Sequence, residues 1–179
     1  MSRLAIFDLD GTLVDSDEAL IAPFVALGID RAAITFGHVL ADECSRLGIG
    51  LDDYLAAYDE DLAQPFAGAA TLVSHLDRWA LCSNKHPRPG WAELERLGWH
   101  PDVALFSDAF DGPKQLGPVL RALDLSATEV VFVGDTGHDR ECAAAAGVTF
   151  VLAGWNPRAV PADGDVVLIT PGDVLDLLG

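Results

Sequence analysis

Two pairs of closely spaced aspartates are the residues of this sequence best suited to chemistry. Asp8 and Asp10 follow the apolar run Leu4–Phe7, and residues i and i+2 of an extended chain project to the same side. Carboxylates that converge in this way repel each other unless a divalent cation or a shared proton offsets their charge. Asp135 and Asp139 follow another apolar run, at a spacing that lets both bind one hard cation through oxygen.

Polar residues after two apolar runs are candidates to bind an anion. Gly11 permits a sharp turn, and the backbone amides of Gly11 and Thr12 are suited to cradle a phosphate. Ser83 and Asn84 follow the run Trp79–Cys82 and add a hydroxyl and a side-chain amide. Taken alone, a Ser-Asn pair is more often an ordinary turn, so its weight depends on the other signals.

Lys114 stands just before a helical pattern, where the helix macrodipole opposes a positive charge unless an anion lies nearby. A solvated surface lysine is the ordinary alternative. However, the two aspartate pairs, Ser83 and Lys114 all follow apolar runs typical of strands, and open α/β sheets bind ligands at the carboxyl ends of their strands. Two acidic pairs, a hydroxyl and a lysine at one sheet edge favour phosphoryl transfer with Mg²⁺.

The elements that would position these residues alternate between short apolar runs and helical patterns, which predicts a parallel sheet with helices on both faces. Six runs are expected to be buried strands: 4–7, 79–82, 104–106, 130–133, 149–152 and 166–169. Four segments have helical spacing: 69–76, 91–97, 116–123 and 140–146. The segment 16–64 breaks the alternation, with helical periodicity and no convincing strand, and it predicts a helical insert after the first strand.

Composition narrows the class of protein further. The chain has 179 residues, with 11 Lys and Arg against 28 Asp and Glu, for a net charge of −17. This charge repels nucleic acids and anionic membranes, so neither is expected as a partner. No run approaches the ~20 apolar residues of a membrane helix. Cys44, Cys82 and Cys142 lack metal-binding spacing and are interpreted as buried, reduced thiols in a cytoplasmic protein.

The sequence resembles the haloacid dehalogenase superfamily of phosphotransferases over nearly its whole length. Four motifs of that superfamily occur in order: Asp8-Leu9-Asp10-Gly11-Thr12, Ser83, Lys114, and Gly134-Asp135 with Asp139. The resemblance implies a Rossmann-like core over 1–15 and 65–179 and a small helical cap at 16–64, as in the phosphoglycolate phosphatase and β-phosphoglucomutase-like branch. The third motif departs from the usual Gly-Lys-Pro, because Pro113 precedes Lys114, and Lys85 is therefore the alternative cation.

The resemblance also implies a role for each motif residue. Asp8 would attack phosphorus and form an aspartyl-phosphate, while Asp10 would protonate the leaving alkoxide and then activate water. Mg²⁺ would be held by Asp8, by Asp10 through its backbone carbonyl and by Asp135, with Asp139 as a further ligand or an anchor. The implied phosphate-binding set comprises Gly11, Thr12, Ser83, Asn84 and Lys114.

A Mg²⁺-dependent phosphatase acting on a small phosphorylated metabolite is the activity that these roles imply. A sugar phosphomutase and a non-catalytic scaffold are the alternatives. A mutase needs a cap that grips a sugar phosphate, and the only Lys or Arg residues in the cap region are Arg31 and Arg46. The sequence leaves open the identity of the phosphomonoester, whether the short cap closes over the site, and the oligomeric state.

Overall fold

The computed structural model describes residues 3–35 and 39–179 of the chain. The described residues form eight strands: β1 (Leu4–Phe7), β2 (Val14–Asp15), β3 (Gln64–Pro65), β4 (Trp79–Cys82), β5 (Val103–Leu105), β6 (Val130–Gly134), β7 (Thr149–Ala153) and β8 (Val166–Leu168). Six of them form one sheet in the order β5-β4-β1-β6-β7-β8, and every pairing in it is parallel. All six strands predicted from the sequence therefore occur, with bounds that differ by one residue or less.

The strand β1 lies at the centre of the sheet because it is wholly apolar and pairs on both sides. Phe7 is opposite Leu81 of β4 and opposite Val133 of β6. Parallel strands in this register end at a common edge, so the residues that follow β1, β4 and β6 are brought together. Of these positions, Asp8, Ser83 and Asp135 come immediately after a strand.

Helices cover both faces of the sheet. The described residues form eight: α1 (Asp17–Ala26), α2 (Leu40–Leu47), α3 (Leu51–Ala57), α4 (Ala69–Ser74), α5 (Pro87–Leu97), α6 (Leu116–Leu123), α7 (Gly137–Ala146) and α8 (Leu175–Leu178). Side chains of α4, α5 and α8 share one apolar cluster with Ala5 and Phe7. Those of α6 and α7 share a second cluster with Leu4 and Ile6, on the opposite face. The predicted Rossmann-like α/β architecture is confirmed.

Local chemistry explains where the structure departs from the predicted elements. The helix α5 begins at Pro87 rather than at 91, because His86 caps its first turn and proline suits the first helical position. The helix α7 begins at Gly137 because Thr136 and Asp139 form a capping box there. The strand β8 is not buried as expected: it pairs only with β7, which leaves Val166 40% exposed.

The segment 16–64 contains α1, α2 and α3, which pack around a small core of their own. The buried members of that core are Phe24, Cys44, Tyr54 and Leu55. Where the sequence indicated no strand, β2 and β3 form a short antiparallel ribbon in which Asp15 is opposite Gln64. The two ends of the helical segment are therefore held side by side, and a pairing of two residues is too short to leave a period in the sequence.

No helix in residues 3–35 and 39–179 is long and apolar enough to cross a membrane.

Candidate functional site

A pocket lies where the carboxyl edge of the sheet faces the helical segment. The predicted site residues that line it are Asp8, Asp10, Ser83, Asn84, Lys114 and Asp135. Its opposite side is formed by residues of the helical segment, among them Leu20, Phe24 and Tyr58. The structure thus brings together residues that are separated by more than 120 positions in the chain, as expected from the strand order.

Three buried carboxylates form a cluster in this pocket. One oxygen from each of Asp8, Asp135 and Asp139 lies within 4.8 Å of the others. Lys114 joins the cluster, with its Nζ 2.7 Å from Asp8 Oδ2 and 2.5 Å from Asp139 Oδ1. Three carboxylates and one ammonium have a formal charge of −2, which the two positive charges of a divalent cation would offset.

Burial acts on the protonation of this cluster. It raises the pKa of Asp8 to about 6, an effect that Lys114 opposes. It raises the pKa of Asp135 to about 7, with the charges of Asp8 and Asp139 acting in the same direction. Burial disfavours the Lys114 ammonium, yet Asp139 and Asp8 raise its pKa above the ordinary value. The raised pKa values show that these carboxylates lack sufficient positive charge around them. Since all the ligand atoms they offer are oxygens, the cluster fits a hard cation such as Mg²⁺.

Asp139 is fixed by the start of α7. Its Oδ2 accepts hydrogen bonds from the backbone N–H of Asp135 at 3.1 Å, from that of Thr136 at 2.9 Å, and from Thr136 Oγ1 at 2.7 Å. The other oxygen faces Lys114. Asp139 therefore takes part in the capping box of α7 and holds Lys114 at the same time.

Asp135 is held by side chains from two loops. Its Oδ1 accepts from Thr12 Oγ1 at 3.2 Å, and its Oδ2 accepts from Asn156 Nδ2 at 2.9 Å. Asn156 Nδ2 also donates to the carbonyl of Gly11 at 2.8 Å. Sequence reasoning missed Asn156, although a polar residue shortly after a strand, here β7, was the signal that identified the other site residues.

The turn at Gly11 brings the backbone against the Asp135 carboxylate. Gly11 has φ +77°, and a Cβ there would overlap the Asp135 carboxylate. Its N–H donates to Val14 O at 2.8 Å, and the N–H of Thr12 donates to Leu9 O at 3.3 Å. Both amides proposed to cradle a phosphate are thus used within the turn, and Thr12 reaches the site by its hydroxyl instead.

Lys85 forms a second buried cluster, around Asp10. Its Nζ lies 2.7 Å from Asp10 Oδ1, 3.0 Å from Glu93 Oε1 and 3.0 Å from Tyr58 Oη. The Tyr58 hydroxyl donates to Glu93 Oε1 at 2.5 Å. Burial disfavours the Lys85 ammonium, yet Asp10 and Glu93 raise its pKa, and burial also raises the pKa of Glu93. The Asp10 carboxylate therefore lies with Lys85, outside the three-carboxylate cluster, and no local pattern pointed to Glu93 or Tyr58.

The two lysines weighed from the sequence hold different positions. Lys114 contacts Asp8, whereas Lys85 contacts Asp10. The polar residues after β4 support the loops that carry them: Ser83 Oγ accepts from the Lys85 N–H at 3.3 Å, and Asn84 Oδ1 accepts from the Lys114 N–H at 2.7 Å. Of the two ammonium groups, the one beside the nucleophile candidate is that of Lys114.

Comparison with known proteins gives the family of the chain. The family model of haloacid dehalogenase-like hydrolases matches residues 5–153. The chain belongs to this family. Among curated relatives of this haloacid dehalogenase-like hydrolase, a phosphoglycolate phosphatase from Xanthomonas campestris pv. campestris is 29% identical over 87% of this chain and 85% of its own length. Pyrophosphatase PpaX from Halalkalibacterium halodurans is 26% identical over 97% and 95%.

The fold is shared with solved structures at lower identity. CbbY from Rhodobacter sphaeroides, solved in complex with phosphate, has a TM-score of 0.74 and 20% identity, with 97% of this chain and 96% of that chain covered. The family resemblance inferred from the motifs is confirmed, as is the enzyme class, a phosphoric monoester hydrolase of the haloacid dehalogenase type.

Proposed function

We propose that this protein is a Mg²⁺-dependent phosphatase that hydrolyses a small phosphomonoester through an aspartyl-phosphate on Asp8. The observation that carries this proposal is the buried cluster of Asp8, Asp135 and Asp139 around Lys114, which has an excess of two negative charges beside a pocket. The metal and the covalent intermediate are general to the family, and they fit the residues present.

Asp8 would be the nucleophile. One of its oxygens accepts a hydrogen bond from the Leu9 N–H at 2.7 Å, and the other pairs with Lys114. A carboxylate is a weak nucleophile, so fixed geometry and charge neutralisation must provide most of the acceleration. As the bond between an Asp8 oxygen and phosphorus forms, the bond between phosphorus and the ester oxygen breaks.

Asp10 would manage the protons of both steps. It would first give a proton to the departing alkoxide and then take one from the water that attacks phosphorus, which releases phosphate and restores the Asp8 carboxylate. Lys85 holds the Asp10 carboxylate at the pocket, and this lysine is in turn held by Glu93. The side chain that moves protons is thereby kept separate from the carboxylates proposed to bind metal.

Asp8 and Asp135 would hold Mg²⁺, together with the backbone carbonyl of Asp10. When bound, the ion supplies a positive charge that offsets the phosphoryl oxygens as they take up negative charge. We assign Asp139 to the anchoring role, because its Oδ2 already accepts three hydrogen bonds and its Oδ1 faces Lys114. Lys114 and Ser83 would hold the phosphoryl oxygens that the metal does not.

The segment 16–64 would act as a cap on the core formed by 1–15 and 65–179. Its support is the pocket itself, which lies between the charged sheet edge and side chains of this segment such as Tyr54. A substrate bound there would be enclosed by both parts, and this limits the substrate to a small phosphorylated metabolite.

The test is phosphate release from a panel of phosphomonoesters, with Mg²⁺ and with EDTA, for the wild type, Asp8→Asn and Asp52→Asn. Asp52 is exposed on α3, so its variant controls for loss of one acidic charge. We expect Mg²⁺-dependent turnover that Asp8→Asn abolishes and Asp52→Asn preserves. Turnover that survives in Asp8→Asn would refute the aspartyl-phosphate. Isomerised sugar phosphate without phosphate release would identify a mutase, and no reaction at all would favour a scaffold.

A further inference from the structure

The side chains that the helical segment contributes to the pocket are mainly apolar. The apolar and aromatic side chains that the helical segment contributes to it are Leu20, Phe24, Ile34, Leu40, Tyr54 and Tyr58. Three of these rings form a continuous surface: Phe24 and Tyr54 are 4.5 Å apart between centroids, and Tyr54 and Tyr58 are 6.1 Å apart. The hydroxyl of Tyr58 contacts Lys85, which pairs with Asp10, so this surface lies on the side of the pocket where we expect the leaving group of a phosphoester bound at Asp8.

The helical segment offers this pocket no basic side chain from the residues described. Its two arginines, Arg31 and Arg46, do not line the pocket. Arg31 pairs with Glu18 on the surface. Arg46 pairs with Glu43 at 2.6 Å and also donates to the Ala33 carbonyl.

An acid is present on that side instead. Glu43 is buried and lines the pocket. Hydrogen bonds from Arg46, and from the N–H and hydroxyl of Thr35, keep it ionised by lowering its pKa to about 2. Because Arg46 matches the charge of Glu43, this pair gives a second anionic group of the substrate no net positive charge to bind.

The lysines and the arginine that line the pocket are already matched by acids. Lys114 lies between Asp8 and Asp139, and Lys85 lies between Asp10 and Glu93. Arg158, at the edge of the pocket, pairs with Asp17. These cations can offset one phosphoryl group together with a metal. The other lining residues that can carry a positive charge are His86 and His138, which stand at the starts of α5 and α7 and not on the helical segment, and burial lowers the pKa of His86.

The hydroxyl of Ser16 in the helical segment indicates where the leaving group could carry a polar atom. Ser16 lines the pocket, is 1% exposed, and its Oγ has no hydrogen-bond partner among the described residues. It stands at the N-cap position of α1 without making the usual capping bond. A buried hydroxyl without a partner is costly, and a polar atom of a ligand would remove that cost.

From the apolar wall, the matched Glu43–Arg46 pair and the unpartnered Ser16 hydroxyl, we infer that the substrate is a phosphomonoester whose leaving alcohol is uncharged and largely apolar. This inference rests on the proposed phosphatase activity and names its substrate class. It sets this chain apart from relatives whose names specify phosphoglycolate or pyrophosphate. Both of those substrates carry a second anionic group, for which this pocket provides no counter-charge on the described helical segment.

The experiment compares kcat/KM for n-propyl phosphate and 2-phosphoglycolate, which are similar in size and differ in the charge of the leaving group. Pyrophosphate is a third substrate, and cyclohexyl and phenyl phosphate distinguish alkyl from aryl preference. We expect kcat/KM for each ester of an uncharged alcohol to exceed that for 2-phosphoglycolate and for pyrophosphate by at least about tenfold. Equal or higher kcat/KM for 2-phosphoglycolate or pyrophosphate would overturn the inference while leaving the phosphatase intact. No Asp8-dependent turnover of any compound would remove both proposals.

A pair of variants tests the cause of the preference. Leu20→Arg places a cation on the pocket wall, at a half-buried position of α1. Val25→Arg adds the same charge to the same helix, at a residue that is 46% exposed and outside the pocket lining. We expect Leu20→Arg to shift the ratio of kcat/KM values towards 2-phosphoglycolate by about tenfold, and Val25→Arg to leave it unchanged. An equal shift in both variants would mean that overall charge, and not the pocket wall, sets the preference.

Discussion

Lys114 and Lys85 are both fully buried ammonium groups, and each is shared by two carboxylates: Asp8 and Asp139 for the first, Asp10 and Glu93 for the second. Burying an ion is costly unless its partners and hydrogen bonds compensate for the lost hydration. The two clusters solve this problem beside the same pocket, yet they differ in what completes them. At Lys114 the third acidic group is a carboxylate, that of Asp135; at Lys85 the third group is the Tyr58 hydroxyl.

This difference in composition separates two kinds of chemistry. The Lys114 cluster has three carboxylates and one ammonium, so two positive charges restore neutrality, as a divalent cation would. The Lys85 cluster has two carboxylates and one ammonium, so a single proton restores neutrality. A site that is short of one proton suits the acid–base role proposed for Asp10, and a site that is short of two charges suits the metal.

The largest expected effect comes from removing each lysine in turn. Lys114→Met should lower kcat/KM by about 10³-fold, because it removes a charge from the nucleophile and from the phosphoryl oxygens. Lys85→Met should lower it by about 10- to 100-fold, because it acts through the position of Asp10. Steady-state kinetics measures these losses of kcat/KM. Each variant should also lose about 3–5 kcal/mol of unfolding free energy, because it leaves buried carboxylates unpaired, and urea unfolding measures that loss. Equal catalytic losses would show that the two clusters do not divide the work in this way.

Metal binding provides the next test. At Mg²⁺ concentrations near 100 times Kd, the free energy of unfolding of the wild type should rise by about 2.7 kcal/mol over that in EDTA. Asp135→Asn should abolish the rise, because it removes a carboxylate from the Lys114 cluster. Glu93→Gln removes one from the Lys85 cluster and should keep the rise. Thermal unfolding with and without Mg²⁺ measures both, and loss of the rise in Glu93→Gln would contradict the assignment.

A matched pair of glycines tests how tightly the Lys114 cluster is built. Gly11 and Gly98 have similar positive φ, +77° and +66°. A Cβ at Gly11 would overlap the Asp135 carboxylate, whereas a Cβ at Gly98 meets open space. Gly98→Ala should lower the free energy of unfolding by about 1 kcal/mol, because alanine is strained in this left-handed backbone conformation. Gly11→Ala should cost about 1–3 kcal/mol more and weaken Mg²⁺ binding, as measured by urea unfolding and metal titration. The same cost at both positions would show that Asp135 gives way easily.

The smallest expected effect is on stability and comes from the ion pair between Glu43 and Arg46. This pair lies outside both clusters, and the Arg46 side chain is 48% exposed. The hydrogen bonds from Arg46 lower the pKa of Glu43 from 4.5 to about 2 in the folded protein. A lowered carboxyl pKa stabilises the fold above the unfolded value and ceases to do so as pH falls from about 4.5 to about 2. The stability advantage of the wild type over Glu43→Gln should therefore shrink across that interval, by about 1 kcal/mol at most. Urea unfolding at several pH values measures it, and an advantage that does not change with pH would exclude the pair.

The sequence predicted the Lys114 cluster far better than the Lys85 cluster, for a physical reason. Asp8 and Asp135 directly follow apolar strands. Because parallel strands end at a common edge of the sheet, both residues can be assigned to that edge without knowledge of any side-chain contact. Glu93 lies inside α5, where an acidic residue is normally on a solvated face, and Tyr58 lies at the end of α3. Their meeting at Lys85 depends on how the helical segment docks on the core, and residue spacing carries no information on that.

Local hydrogen bonding was the second limit on prediction. The glycine after Asp10 correctly indicated a sharp turn, since its φ is +77°. Which groups that turn would leave available was not predictable, because it depends on whether the N–H of Gly11 bonds to Val14 O or to a ligand. Asn156 illustrates the same limit: its amide holds two loops together, and only the packed structure shows that they are within its reach.

The central position of β1 has a consequence for how the chain acquires its structure. Residues 4–7 are synthesised before both of their partners, which are residues 79–81 of β4 and 130–133 of β6. Contacts so distant in sequence require closure of long loops, which slows folding. While the chain is being synthesised, β1 therefore exposes two unpaired edges until β4 and then β6 become available. We expect nascent chains that end between these strands to aggregate readily, since an apolar strand with free edges is a template for pairing between chains.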